Sequence, residues 1–207
     1  MTIIRIPCDT ITRLSALLPG PDADVEPIFH TMRLDHGRII CTDRKFGAVE
    51  QIDHFEGAWH ISLDAALLEQ CRIEAQFNGV LTVTPNQTLM WTAAQTTMGY
   101  APQGNIGVYP SEPTKYDDWY KLMVEPALTP ATSASGALVC SAEDVARLGR
   151  TSPSGRIVFE KVIDVTRPTI MRDTEDHRWC GFFFPRLNDG IFYPSASVPS
   201  WLKESGR

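Results

Sequence analysis

The residue types best suited to metal ligation or proton transfer gather in one short stretch, Asp173-Thr174-Glu175-Asp176-His177. Three carboxylates followed by an imidazole could hold a divalent cation. The same composition between two strand-like runs is also what a tight turn uses, because Asp and Thr side chains bond nearby backbone amides. The turn reading is preferred, and neither a metal nor a cofactor is expected. His30, His36, His54 and His60 form no HExxH or HxH pattern, and Asp35-His36-Gly37 reads as a hairpin turn. No GxSxG, P-loop or GxGxxG stands between a strand and a helix. The members of a Ser-His-Asp triad can lie far apart in a chain, so a hydrolase is carried as an alternative for which only scattered histidines and acids speak. The five cysteines, Cys8, Cys41, Cys71, Cys140 and Cys180, form no CxxC pair and read as buried small hydrophobes.

Composition narrows the field further. A chain of 207 residues, 43% hydrophobic and 21% charged, can bury a sufficient core without staples. No apolar run approaches the roughly 18 residues that cross a bilayer, and the N-terminus lacks the apolar core of a secretory signal. A cytoplasmic location is expected. The formal charge of -6 argues against a simple basic nucleic-acid binder. Residues 1–110 hold 7 basic and 12 acidic side chains, net -5, and residues 111–207 hold 12 and 13, net -1. Any cationic surface is therefore expected in the second half.

The elements that would position these residues follow from periodicity and turn signals. Thr2 to Pro7 reads as a strand, and Asp9 as the N-cap of a helix with Ile11, Leu14, Leu17 and Leu18 on its apolar side. Ile28–Leu34 and Arg38–Cys41 form a hairpin, and Phe46–Ile52 is a third strand. Trp59–Ile61 leads to Asp64 and a second helix, AALLEQCRI; Val80–Thr84 and Thr88–Thr92 make a second hairpin, and Thr96–Tyr100 adds a strand. The unit of strand, helix and strands thus occurs twice. Residues 102–136 are a Pro-, Ser-, Thr- and Gly-rich connector around Tyr116-Asp117-Asp118-Trp119-Tyr120. After it come a strand (Ala137–Cys140) and a third helix capped by Ser141, with Ala142, Val145, Ala146 and Leu148 on its apolar side. Two long strands, Arg156–Arg172 and Arg178–Leu187, flank the acidic turn, with Pro168 marking an edge or bulge in the first.

Several motifs, in order, resemble the bacterial DNA sliding clamp, the beta subunit of DNA polymerase III. Thr42, Asp43, Phe46, Gly47, Ala48 and Val49 match a clamp strand ending in Thr-Asp, followed by two variable residues, an apolar residue, Gly and a second apolar strand. Ile61, Leu63, Leu67 and Leu68 resemble its strand-to-helix signature, and Val108-Tyr109-Pro110 with Tyr116-Asp117 its aromatic connector. Pro168-Thr169-Ile170-Met171-Arg172, the acidic turn and Phe183-Phe184-Pro185-Arg186-Leu187 are similar to its closing unit.

The resemblance implies an α+β, DNA-clamp-like fold of helices on curved antiparallel sheets, about one and a half clamp domains in all. It divides the chain into a complete domain at 1–111, a partial one with its connector at 112–190, and an apolar tail at 191–207. It implies a non-catalytic replication accessory or scaffold, of phage or mobile-element type, that works as a homo-oligomer. Helix-borne cations would meet duplex DNA weakly and without reading sequence, and the candidates are Arg13, Arg44, Lys45, Arg72, Arg147 and Arg150. Phe184, Pro185 and Leu187 would help form an apolar pocket for short peptides of replication or repair proteins. The alternative in this fold is an interaction module, adaptor or decoy that does not encircle DNA.

Overall fold

The structure is a computed structural model that describes residues 2–20, 22–43, 46–84, 106–110, 141–159 and 169–183. Strand β1 (Ile4–Pro7) alternates, with Ile4 and Ile6 buried and Arg5 and Pro7 exposed, so one face meets the core. Helix α1 (Cys8–Leu14) follows at once and continues into a single 3-10 turn, Ser15–Leu17. Asp9 does not cap it. The helix begins at Cys8 with Pro7 in the cap position, Cys8 N donates to Gly79 O at 2.9 Å, and Asp9 in the first turn pairs instead with Arg13. Ile11, Leu14 and Leu17 are buried, as their spacing requires, and Leu18 is half-buried.

A 3-10 turn (Pro27–His30) leads into β2 (Met32–Asp35), which pairs antiparallel with β3 (Arg38–Thr42). His36 and Gly37, the two loop residues, have φ of 47° and 81°, the left-handed pair that matches strand twist in a two-residue hairpin. Next come β4 (Phe46–Gln51), β5 (Ala58–Leu63) and α2 (Ala65–Ala75). Asp64 caps α2 through Oδ1, which accepts from Leu67 N at 2.8 Å. Strands β6 (Val80–Val83) and β7 (Ile106–Pro110), helix α3 (Ala142–Gly149), and β8 (Ile157–Phe159), β9 (Thr169–Asp173) and β10 (Trp179–Phe183) complete the order. Ser141 caps α3, accepting from Asp144 N at 3.1 Å. Of the apolar side expected for α3, only Leu148 is buried and Val145 half-buried, whereas Ala142 and Ala146 face solvent.

The strands form a pair, β1-β6, and an eight-stranded sheet ordered β7-β5-β2-β3-β4-β10-β9-β8, with every pairing antiparallel. The described strands of the doubled unit read from the sequence pair in exchanged form. The first strand of the first unit, β1, pairs with β6 of the second, while the first strand of the second, β5, pairs with β2 of the first. Helices α1 and α2 pack together over the larger sheet, and a buried cluster with Ile11, Leu14, Leu34, Ile39, Cys41, Ala48, Leu67, Met171 and Trp179 fills the space between them. On the opposite sheet face a smaller cluster, Phe29, Ile40, Ile170 and Phe182, lies under the segment at 25–29.

One long strand from Arg156 to Arg172 is not formed. Strands β8 and β9 pair antiparallel, Ile157 opposite Asp173 and Phe159 opposite Met171, so the chain reverses between them. Strand alternation carries no information about such a reversal. The sheet also joins the two halves of the chain, because β10 pairs with β4 from Phe183 opposite Phe46 to Trp179 opposite Glu50. The expected strands at 88–92, 96–100 and 137–140, the connector and the tail lie outside the described residues.

Candidate nucleic-acid interface

The helical layer is where phosphate contact was expected, and its cations are placed unequally. Arg13 on α1 is a strut. Its Nη1 and Nη2 each lie 2.9 Å from a Glu50 carboxylate oxygen, Nε is 2.7 Å from Asp9 Oδ2, and Nη1 donates to Thr151 O at 2.7 Å. Its side chain is 12% exposed and that of Glu50 only 4%. Burial works against the charged guanidinium, but the hydrogen bonds and charges of Glu50 and Asp9 together outweigh it and raise the Arg13 pKa further. Glu50 also accepts from Thr10 Oγ1 at 2.7 Å.

Arg147 on α3 is a second strut. Nε and Nη2 donate to the carbonyls of Ala16 and Leu17 at 2.9 and 3.1 Å, and Nη1 pairs with Asp43. Those carbonyls end the 3-10 turn after α1, where a cation offsets the partial negative charge of unsatisfied C=O groups. The Thr42-Asp43 pair is thereby explained as local chemistry. Thr42 Oγ1 donates to Phe46 O at 2.6 Å and Asp43 Oδ1 accepts from Phe46 N at 2.8 Å, which closes the β3-β4 hairpin and aims the other Asp43 oxygen at Arg147.

Arg72 and Arg150 are the exposed members of the set. The Arg72 side chain is 62% exposed and pairs with Glu69 one turn away, and Arg150 follows α3. Arg44 and Lys45, like Phe184, Pro185 and Leu187, lie outside the described residues. Across α1, α2, α3 and the Arg150 cap the arginines are Arg13, Arg72, Arg147 and Arg150, against Asp9, Glu69, Glu74, Glu143 and Asp144. The layer is close to neutral. A groove of about 700 Å³ beside Arg13 sets Asp9, Glu50, Asp53 and Asp176 against Arg5, Arg13 and Arg178, a balance that does not favour phosphate.

This arrangement of α1 and α2 over a continuous antiparallel sheet has counterparts among solved structures. A DNA polymerase sliding clamp from Pseudomonas aeruginosa, crystallised with a ligand, is 8% identical with a TM-score of 0.55, covering 89% of this chain and 66% of that one. A structure described as a DNA polymerase III beta subunit, from Eubacterium rectale, is 8% identical with a TM-score of 0.54, covering 90% and 66%. The fold is clamp-like. At such identities the likeness concerns architecture alone, and the chain spans about two thirds of the length of the clamp subunits it matches. No family profile and no curated protein matches the sequence.

The acidic turn of this clamp-like fold is likewise structural. Asp173, 2% exposed, accepts from Ser152 Oγ, Ser154 N and Oγ, Glu175 N and Asp176 N. Burial alone would raise its pKa, but the Ser152 hydroxyl and three backbone amides hold it well below the usual carboxylate range. It ties the loop after α3 to the β9-β10 turn. Among the described residues no group of three His, Cys, Asp or Glu is arranged to hold a metal, and no helix is long and apolar enough to cross a membrane.

Sequence reasoning missed Glu50 as the partner of Arg13. The available signal was phase, since Phe46, Ala48 and Glu50 share the buried face of β4. A glutamate in the apolar phase of a strand calls for a buried cation.

Proposed function

We propose that this chain is a non-catalytic scaffold of clamp fold, an adaptor for replication or repair proteins. The observation that carries this is the engagement of Arg13 and Arg147 inside the molecule, which takes two of the four arginines of the helical layer away from its surface. A layer built to hold duplex DNA directs guanidinium groups outward, where neutralised phosphates release counterions. Here those groups join helices to the sheet. Partner contact is assigned to short peptides and to the closing segment with Phe184, Pro185 and Leu187.

A second reading, a homo-oligomeric ring that encircles duplex DNA, has one observation in its favour: Arg72 and Arg150 remain on the surface of a clamp-like fold. Mass measurement in solution and duplex binding across a salt series separate the two. The scaffold predicts no closed symmetric oligomer and no change in duplex affinity when Arg72→Glu and Arg150→Glu are combined. A closed oligomer whose duplex binding is lost in that variant overturns it in favour of the ring.

A further inference from the structure

Three arginines of this acidic chain, Arg38, Arg172 and Arg178, line one groove on the sheet face opposite the helices. Strand alternation fixes the placement. Ile40, Val49, Cys180 and Arg172 form a row across β3, β4, β10 and β9, and Arg38 and Gln51 are paired one step further along. Ile40, Val49 and Cys180 belong to the smaller apolar cluster, so the whole row lies away from α1 and α2. Gln51 N donates to Arg178 O at 2.9 Å, which brings Arg178 to the same end of the sheet.

A groove of about 320 Å³ opens there, walled by Gln51 and by six Arg and His side chains, Arg38, Arg172, Arg178, His36, His54 and His177. Among the described residues no carboxylate lines it. The nearest acids stand at its rim. Asp35 bonds His36 and Arg38, Asp176 bonds Arg178, and Asp53 precedes His54 in the chain. Arg178 gives Nε and Nη2 to Asp176, and its side chain is 65% exposed, so the two Nη1 hydrogens remain for a ligand.

We propose that this groove binds single-stranded nucleic acid, with the arginines on the phosphodiester backbone and the histidines against the bases. Guanidinium groups in the lining, with the carboxylates held to the rim, admit an anion, and the shapes decide which one. All six side chains end in planar groups, the kind on which unstacked bases lie, and no lysine is among them. The apolar floor of Val49, Ile52 and Cys180 suits a base face better than it suits the carboxylates of an acidic peptide. The site lies on a different surface from Arg72 and Arg150, so it stands or falls separately from the scaffold reading.

The test is fluorescence anisotropy of the full chain with a labelled oligothymidylate of about 20 nucleotides. Three phosphate contacts give a salt slope near -2, so raising salt from about 50 to about 200 mM should weaken binding about 20-fold. Combining Arg172→Gln with Arg178→Gln should flatten that slope to roughly -0.7. His54→Ala with His177→Ala breaks no ion pair among the described residues and should cost at least about 5-fold in affinity through lost stacking. Arg72→Glu with Arg150→Glu should leave binding unchanged. The proposal is overturned if the oligothymidylate does not bind at the lower salt, if the histidine variant binds as the parent does, or if a duplex of equal length or polyglutamate competes equally well.

Discussion

Replacing Arg13 by Met keeps much of the aliphatic stem and removes only the guanidinium, so it isolates the strut between α1, β4 and the loop after α3. The exposed contact to Asp9 contributes little, because that carboxylate is 58% exposed and screened by water. The bidentate pair with Glu50 decides the outcome. Without it a carboxylate that is 4% exposed keeps only the Thr10 hydroxyl as its hydrogen-bond donor, and Thr151 O loses the guanidinium donor. Breaking a buried ion pair on one side costs about 3–5 kcal/mol, which corresponds to a drop in melting temperature of about 6–20 °C for a chain of this size. Adding Glu50→Gln removes the stranded charge while leaving an oxygen for Thr10, so the double variant should recover about 2 kcal/mol of the loss. Chemical denaturation of the parent, both single variants and the double variant measures the coupling. A cost below about 1 kcal/mol for Arg13→Met, or equal stability of Arg13→Met and the double variant, refutes the assignment of Arg13 as a strut.

Three further outcomes follow from the geometry. Asp173→Asn should destabilise by about 3 kcal/mol, since an amide offers one acceptor oxygen to five converging donors and adds N–H groups that have no acceptor there. Because the folded pKa of Asp173 lies below its unfolded value near 3.9, its contribution is complete above that value and is lost as pH falls beneath it; acid titration of Asp173→Asn should lack that component. Gly181→Ala places a Cβ 2.6 Å from Trp179 Cη2 and 2.9 Å from Met171 Cε, and should cost about 1–3 kcal/mol through overpacking, read from a thermal melt. Gly37→Ala forces an L side chain to φ +81° with its Cβ 3.3 Å from His54 Cα, so a loss of about 1–2 kcal/mol in the same assay is expected.

Local chemistry made much of the fold legible. The cap at Asp64, the His36-Gly37 turn, the apolar spacing of α1 and the strands on either side of the acidic turn all depend on residues within a few positions of one another. What escaped was set by distant partners. Asp9 is a good N-cap by type, but the start of α1 is fixed by Gly79 O, seventy-one residues from Cys8. The reversal between β8 and β9 follows from antiparallel pairing, which leaves no trace in alternation. At the candidate interface, Arg13 and Arg147 have the type and spacing of surface cations; only Glu50 and Asp43, 37 and 104 residues away, make them internal. A positive side chain on a helix does not declare whether it faces phosphate or a carboxylate of its own chain.

The register of β10 on β4 has a consequence for the order in which the polypeptide assembles. During synthesis, the backbone groups along one side of Phe46–Gln51 must wait for Trp179–Phe183 to emerge. At the usual pace of translation, about 5–20 residues per second, that interval lasts roughly 6 to 27 seconds, during which an open strand rim is available to any neighbouring chain. A truncated product ending near 111 would keep that rim permanently and should self-associate. The β9-β10 hairpin therefore acts as the lock that closes this rim of the nascent protein.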